Sequence, residues 1–189
     1  MKITKKGWAF LSLVFLHLLA VILIALISES TSVPRTIVRV MGLSALIVMF
    51  YAAIIALFLK SIIKNFGKSF IKIHHTFALS GFILLAIHGI LYATLLSTGL
   101  SLELWIAFSL SADICAILAI TAAIKRKSWT KIWRYIHMLM YLMLFFATLH
   151  GIFGGTDFRS PAILIIYITM LIALVFSFIL KRKQMSNTK

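Results

Sequence analysis

Apolar residues in this chain neither alternate with polar ones nor keep to one helical face. They run in six nearly unbroken blocks of about twenty residues, separated by short stretches where Lys, Ser, Gly and Asn collect. A hydrocarbon core about 30 Å thick takes roughly 20 helical residues to cross, and a backbone in lipid must satisfy its polar groups internally, which a helix does. The blocks fall at residues 8–27, 38–59, 73–96, 102–124, 135–153 and 162–180. They predict an all-α fold: a polytopic six-helix transmembrane bundle that takes up the whole chain, residues 1–189, as one domain. Between the blocks too little sequence remains for a soluble domain. The first block follows KITKK and so begins like a secretory signal, but it is too long and has no small-residue cleavage site, so it reads as a helix.

Composition agrees with that pattern. Hydrophobic residues make up 62% of the 189, charged ones only 12%, and the mean hydropathy is +1.10, values that exclude an ordinary soluble domain. The formal net charge is +15. In a soluble protein such a balance would point to nucleic acid, but here the position of the cations gives a different meaning. Lys2, Lys5 and Lys6, then Lys60, Lys64, Lys68 and Lys72, then Lys125, Arg126, Lys127, Lys131 and Arg134, then Lys181, Arg182, Lys183 and Lys189 all fall on one side of the predicted spans. Arg35, Arg39 and Arg159 are left for the other. Short loops rich in Lys and Arg stay in the cytoplasm, so the expectation is a plasma-membrane protein with both termini cytoplasmic, surrounded by lipid and without a nucleic-acid partner. A single cysteine, Cys115, excludes an intramolecular disulfide and a CxxCH site for covalent heme.

Against this apolar background six histidines stand out, all within or at the ends of the blocks: His17, His74, His75, His88, His137 and His150. Ionisable groups at such depth are costly and point to function unless a neighbouring helix satisfies them. At 1.5 Å per residue, His74 and His88 are about 21 Å apart along their helix, and His137 and His150 about 20 Å. One metal ion cannot be shared over that distance, so the spacing allows two sites, one toward each membrane face. Paired imidazoles at two levels are what two stacked hemes require. Fourteen residues bring His74 and His88 within roughly 40° of one helical face, and Gly81, midway, leaves room on that face for a ring. Thirteen residues put His137 and His150 roughly 140° apart, so the fifth block needs a bend, a bulge or a heme approached from its flank.

The stretches HHTFALSGFILLAIHG in the third block and WRYIHMLMYLMLFFATLHG in the fifth resemble the ferric reductase-like transmembrane domain. That family includes the membrane cores of ferric reductases and NADPH oxidases and the heme-binding subunit of the bacterial periplasmic methionine sulfoxide reductase system. The resemblance covers the layout of all six blocks, with motif identity in the third and fifth. It implies two b-type hemes, the inner one ligated by His74 and His137, with His75 as the alternative to His74, and the outer one by His88 and His150. A single heme is the smaller version of the same arrangement.

Propionates of such hemes call for cations. Arg39 and Arg159 are candidates on the outer side, and Lys72, Lys131 and Arg134 on the inner side, where they also set topology. Phe82, Met143, Phe145 and Phe146 lie between the two levels, with packing as their first role. Asp113 and His17 are expected to make structural hydrogen bonds, with a proton relay and a quinone site as the respective alternatives. The implied function is electron transfer across the membrane by a b-type cytochrome, an oxidoreductase component. The chain has no room for a flavin and nicotinamide domain, so the donor is a separate flavoprotein, a bound flavin or a quinol, and the acceptor an outer-side reductase, ferric ion or dioxygen. A metal-ion transporter and a heme-free scaffold are the rival classes.

Overall fold

A computed structural model of the chain describes residues 3–27, 32–67, 69–95, 104–130, 132–154 and 160–186. Among these residues all regular structure is helical. In order they form α1 (Lys5–Ile27), α2 (Val33–Leu57), α3 (Leu59–Phe66), α4 (Phe70–Leu95), α5 (Leu104–Ile124), a 3-10 turn (Lys125–Lys127), α6 (Trp133–His137), α7 (Leu139–Gly154) and α8 (Pro161–Ser186). Six stretches are long and apolar enough to cross a membrane, the fifth being α6 and α7 taken together. Leu, Ile and Phe side chains stand exposed along most of them, the ordinary outer surface of a protein in lipid.

Two compact units make up the chain, Met1–Thr98 with Ser160–Lys189, and Gly99–Arg159. In the first, α2 is the central helix: fourteen of its residues are buried, and it packs on α1, α3, α4 and α8. Pro34 opens it at a position where the missing amide costs nothing. From α8, Ile163, Tyr167, Met170 and Leu174 form a single stripe at helical spacing against it. The hydroxyl of fully buried Tyr167 donates to the Leu43 carbonyl at 2.7 Å.

On the other side α4 runs antiparallel to α2 at close range. A Cβ built on Gly81 would lie 2.7 Å from Cγ and Sδ of Met49 and 3.3 Å from its backbone nitrogen. The room that Gly81 leaves is therefore filled by Met49, and the glycine serves helix approach.

The amphipathic helix α3 is an element that the block pattern did not predict. Ile62 and Phe66 point inward and Lys60 and Lys64 outward, and the helix ends at Gly67, whose φ of 63° is a left-handed cap. Ile62 and Phe66 join Ile55 and Ile73 in a core cluster that Phe10, Phe70 and Phe77 extend. Thr4 fastens the start of α1 to α3, its amide donating to the Asn65 carbonyl at 2.9 Å and its hydroxyl to Asn65 Oδ1 at 3.0 Å.

In the second unit α5 lies against α6 and α7 through a face of small residues, Ala112, Cys115, Ala116, Ala119 and Ala122, all buried. Met143, Leu144 and Thr148 of α7 are also buried. The fifth block is not one continuous helix. α6 ends at His137, Met138 forms a turn, and the Tyr141 amide bonds three residues back to the Met138 carbonyl at 3.0 Å.

Replacing Gly81 with Ala should cost about 1–3 kcal/mol, because the new methyl overlaps Met49. Adding Met49→Ala should recover part of that loss, so thermal unfolding in detergent should show the double variant losing less than the two single losses combined.

Candidate heme-ligating histidines

Three histidines share one contact. His88 Nδ1 lies 2.8 Å from the Val38 carbonyl oxygen, His74 Nδ1 lies 3.2 Å from that of Ala52, and His137 Nδ1 lies 3.1 Å from that of Ala119. A carbonyl only accepts, so in each of these contacts the ring donates from Nδ1. Metal-ligating histidines are commonly fixed this way, with the second nitrogen donating to a carbonyl so that tautomer and ring orientation are set.

On α4 this arrangement follows from helix register. His74 and His88 are fourteen residues apart, and so are their acceptors Ala52 and Val38 on antiparallel α2. The close approach of the two helices lets an imidazole reach across to a backbone oxygen at both levels. Near His88 the fit is tightest: a Cβ on Gly42 would fall 2.7 Å from Nδ1 and 2.8 Å from Cε1. Gly42 is one turn after Val38, so the ring occupies the notch beside the carbonyl that it bonds. The corresponding residues after Ala52 and Ala119 are Ala56 and Ala123, also small.

His75 differs from its neighbour. Its side chain is exposed, its ring centroid is 5.9 Å from that of His74, and it is one residue out of register with His88. His74 is held on its other side by Phe70, stacked at 5.5 Å. By geometry His74, not His75, is the equivalent of His88.

In the second unit His137 is the last residue of α6, with Trp133 at 6.1 Å from its ring, and His150 lies half-buried in α7. The turn at Met138 falls between them. Bonding of the 3-10 type advances about 120° per residue where an α-helix advances about 100°, so tightening here rotates His150 toward the face of His137. The turn has the sense that thirteen-residue spacing needs, but a single 3-10 turn adds about 60° and so makes up less than half of the roughly 140° between them.

The remaining candidates are distributed as follows. Arg39 is half-buried and next to Val38, at the His88 level of α2. Arg134 lies over the Trp133 ring, 5.7 Å from its centroid, and Lys72 is exposed. Lys131 and Arg159 lie outside the described residues. Met143 is buried, Phe146 stacks on Phe108 at 6.3 Å, and Phe145 is exposed. Asp113 is on the exposed side of α5, while the His17 ring bonds Tyr51 through Nδ1 and the phenol oxygen at 2.5 Å, a satisfied polar contact. Among the described residues no three His, Cys, Asp or Glu side chains converge as a metal-binding group.

No family model, curated protein or solved structure matches the chain.

The carbonyl acceptors and Gly42 were not visible as site residues before the helices were paired. One signal was available, since α5 carries alanines at helical spacing and such a face lets a neighbouring backbone come near.

In 15N-histidine solid-state NMR of the protein in lipid, His74, His88 and His137 should each appear with a proton on Nδ1. Gly42→Ala should abolish that signature for His88 alone and lower stability by about 1–3 kcal/mol, as overpacking does. Rings that lack a proton on Nδ1 in the unaltered protein would contradict the carbonyl contacts.

Proposed function

We propose that the chain is a b-type cytochrome that passes electrons across the membrane. The observation that supports this most is the contact shared by His74, His88 and His137, each with Nδ1 held against a helix carbonyl, the way ligand imidazoles are commonly oriented. Two such imidazoles on one helix, about 21 Å apart, suit two levels of ligation. The resemblance of the third and fifth blocks to the ferric reductase-like domain supplies the pairing: His74 with His137 and His88 with His150. Heme bound there would supply reversible one-electron chemistry between ferric and ferrous iron.

The protein's own part is positional. Helix carbonyls fix the ring planes and raise the basicity of the ligand nitrogens. Apolar side chains keep water from the interior, and Arg39 offers a cation at the His88 level. The distribution of Lys and Arg supports cytoplasmic termini and a plasma-membrane location, with His74 and His137 toward the cytoplasm. Electrons would enter there from a separate flavoprotein, a bound flavin or a quinol, and leave outside to a reductase, ferric ion or dioxygen.

A heme-free scaffold is the second reading, and the same bonds favour it, because a histidine bonded to a neighbouring carbonyl also joins helices. The two readings differ at Nε2.

Heme per polypeptide, measured as pyridine hemochrome on protein purified from heme-replete cells, should be two. His74→Ala and His88→Ala should each lose one heme, whereas His75→Ala should keep both. Protein that binds none would leave the scaffold.

A further inference from the structure

We propose that a cavity beside α3 holds one anionic phospholipid, with an acyl chain inside and its phosphate at the rim. The cavity measures about 220 Å3 and lies where α1, the end of α2 and α3 meet. Its walls are Phe10, Ile54, Ile62 and Phe66, and its polar residues are Lys6, Ser61 and Asn65. An almost wholly apolar interior suits a hydrocarbon chain.

Rim chemistry selects the head group. Lys6 offers an ammonium and Ser61 a hydroxyl, while the Asn65 amide has its oxygen engaged by the Thr4 hydroxyl at 3.0 Å, which leaves its NH2 as a donor. The rim is therefore rich in donors. The four acidic residues of the chain are Glu29, Glu103, Asp113 and Asp157, so neither α1 nor α3 contains a carboxylate, while Lys5, Lys60 and Lys64 add positive charge on the same two helices. A phosphate is complementary to this set, and a choline head group brings a cation that the lysines repel.

The form of α3 fits the same reading. A short helix with Ile62 and Phe66 inward and Lys60 and Lys64 outward has the form of one that lies at a membrane surface, where such lysines meet lipid phosphates. An acyl chain reaching the cavity from the adjoining leaflet passes Phe58, which is 38% exposed at the start of α3. This inference does not depend on heme.

Native mass spectrometry of delipidated protein, titrated with phosphatidylglycerol or phosphatidylcholine in detergent, tests it. One phosphatidylglycerol should bind at least about fivefold more tightly than phosphatidylcholine, and Lys6→Gln should weaken it by about fivefold, the effect of one lysine near a lipid surface. Ser61→Phe, which obstructs the rim, should weaken both lipids, whereas Lys127→Gln on the other unit should change neither. Equal binding of the two lipids would overturn the proposal, as would Lys127→Gln acting as strongly as Lys6→Gln. Competition by glycerol phosphate at the same concentration as the lipid would remove the role of the chain. Lys6 is exposed, so its variant should elute as the unaltered protein does.

Discussion

A carbonyl oxygen within an α-helix already accepts one hydrogen bond and has a second lone pair to spare, and three histidines of this chain use it. An imidazole among apolar side chains needs a partner for its N–H, and in lipid water does not supply one. The rest of the arrangement depends on that need. Two helices must come close enough for a side chain to reach a backbone, which explains why Gly42 faces the His88 ring and Gly81 faces Met49. The pairing must also hold over a length of fourteen residues, which keeps α2 and α4 in register from Ala52 to Val38. Central placement of α2 follows, since it supplies both carbonyls and also receives α1, α3 and α8.

One set of contacts thus connects packing to chemistry. The bond that repays the burial of an imidazole also decides which nitrogen carries the proton. On the proposed reading, His74 and His88, held at Nδ1 on one helix, would turn their other nitrogens toward iron. In the proposed carrier such fixed rings would matter, because ligands that do not move between oxidation states add little to the cost of transfer. The small residues one turn beyond each acceptor, Gly42, Ala56 and Ala123, make the reach possible.

Much of the fold was legible in the chain itself. Twenty-residue apolar blocks leave few alternatives in lipid, so the six membrane-length helices were expected, with ends that differ by a few residues where caps and Pro34 decide them. The helix α3 was hidden because eight residues with two lysines resemble a charged loop, and only contact with Phe10 and Ile55 shows its inward face. The turn at Met138 has no proline or glycine to mark it. The angle between His137 and His150 allowed a bend, a bulge or a ligand approached from the flank, and the sequence did not choose among them. His74 and His75 were equivalent in the sequence, and the α2 register separates them. Gly81 was expected to make room for a ring, yet Met49 of α2 takes that room, which no pattern within a single helix could reveal.

Electron transfer across a sealed membrane tests the central claim most directly. Purified, heme-loaded protein would be reconstituted into vesicles that enclose ferricyanide, with a membrane-impermeant reductant added outside. The account predicts that enclosed ferricyanide is consumed while the reduced heme band reaches a steady level, and that vesicles with His88→Ala protein leave it intact. Ferricyanide that persists inside vesicles whose heme is fully reduced from outside would contradict it.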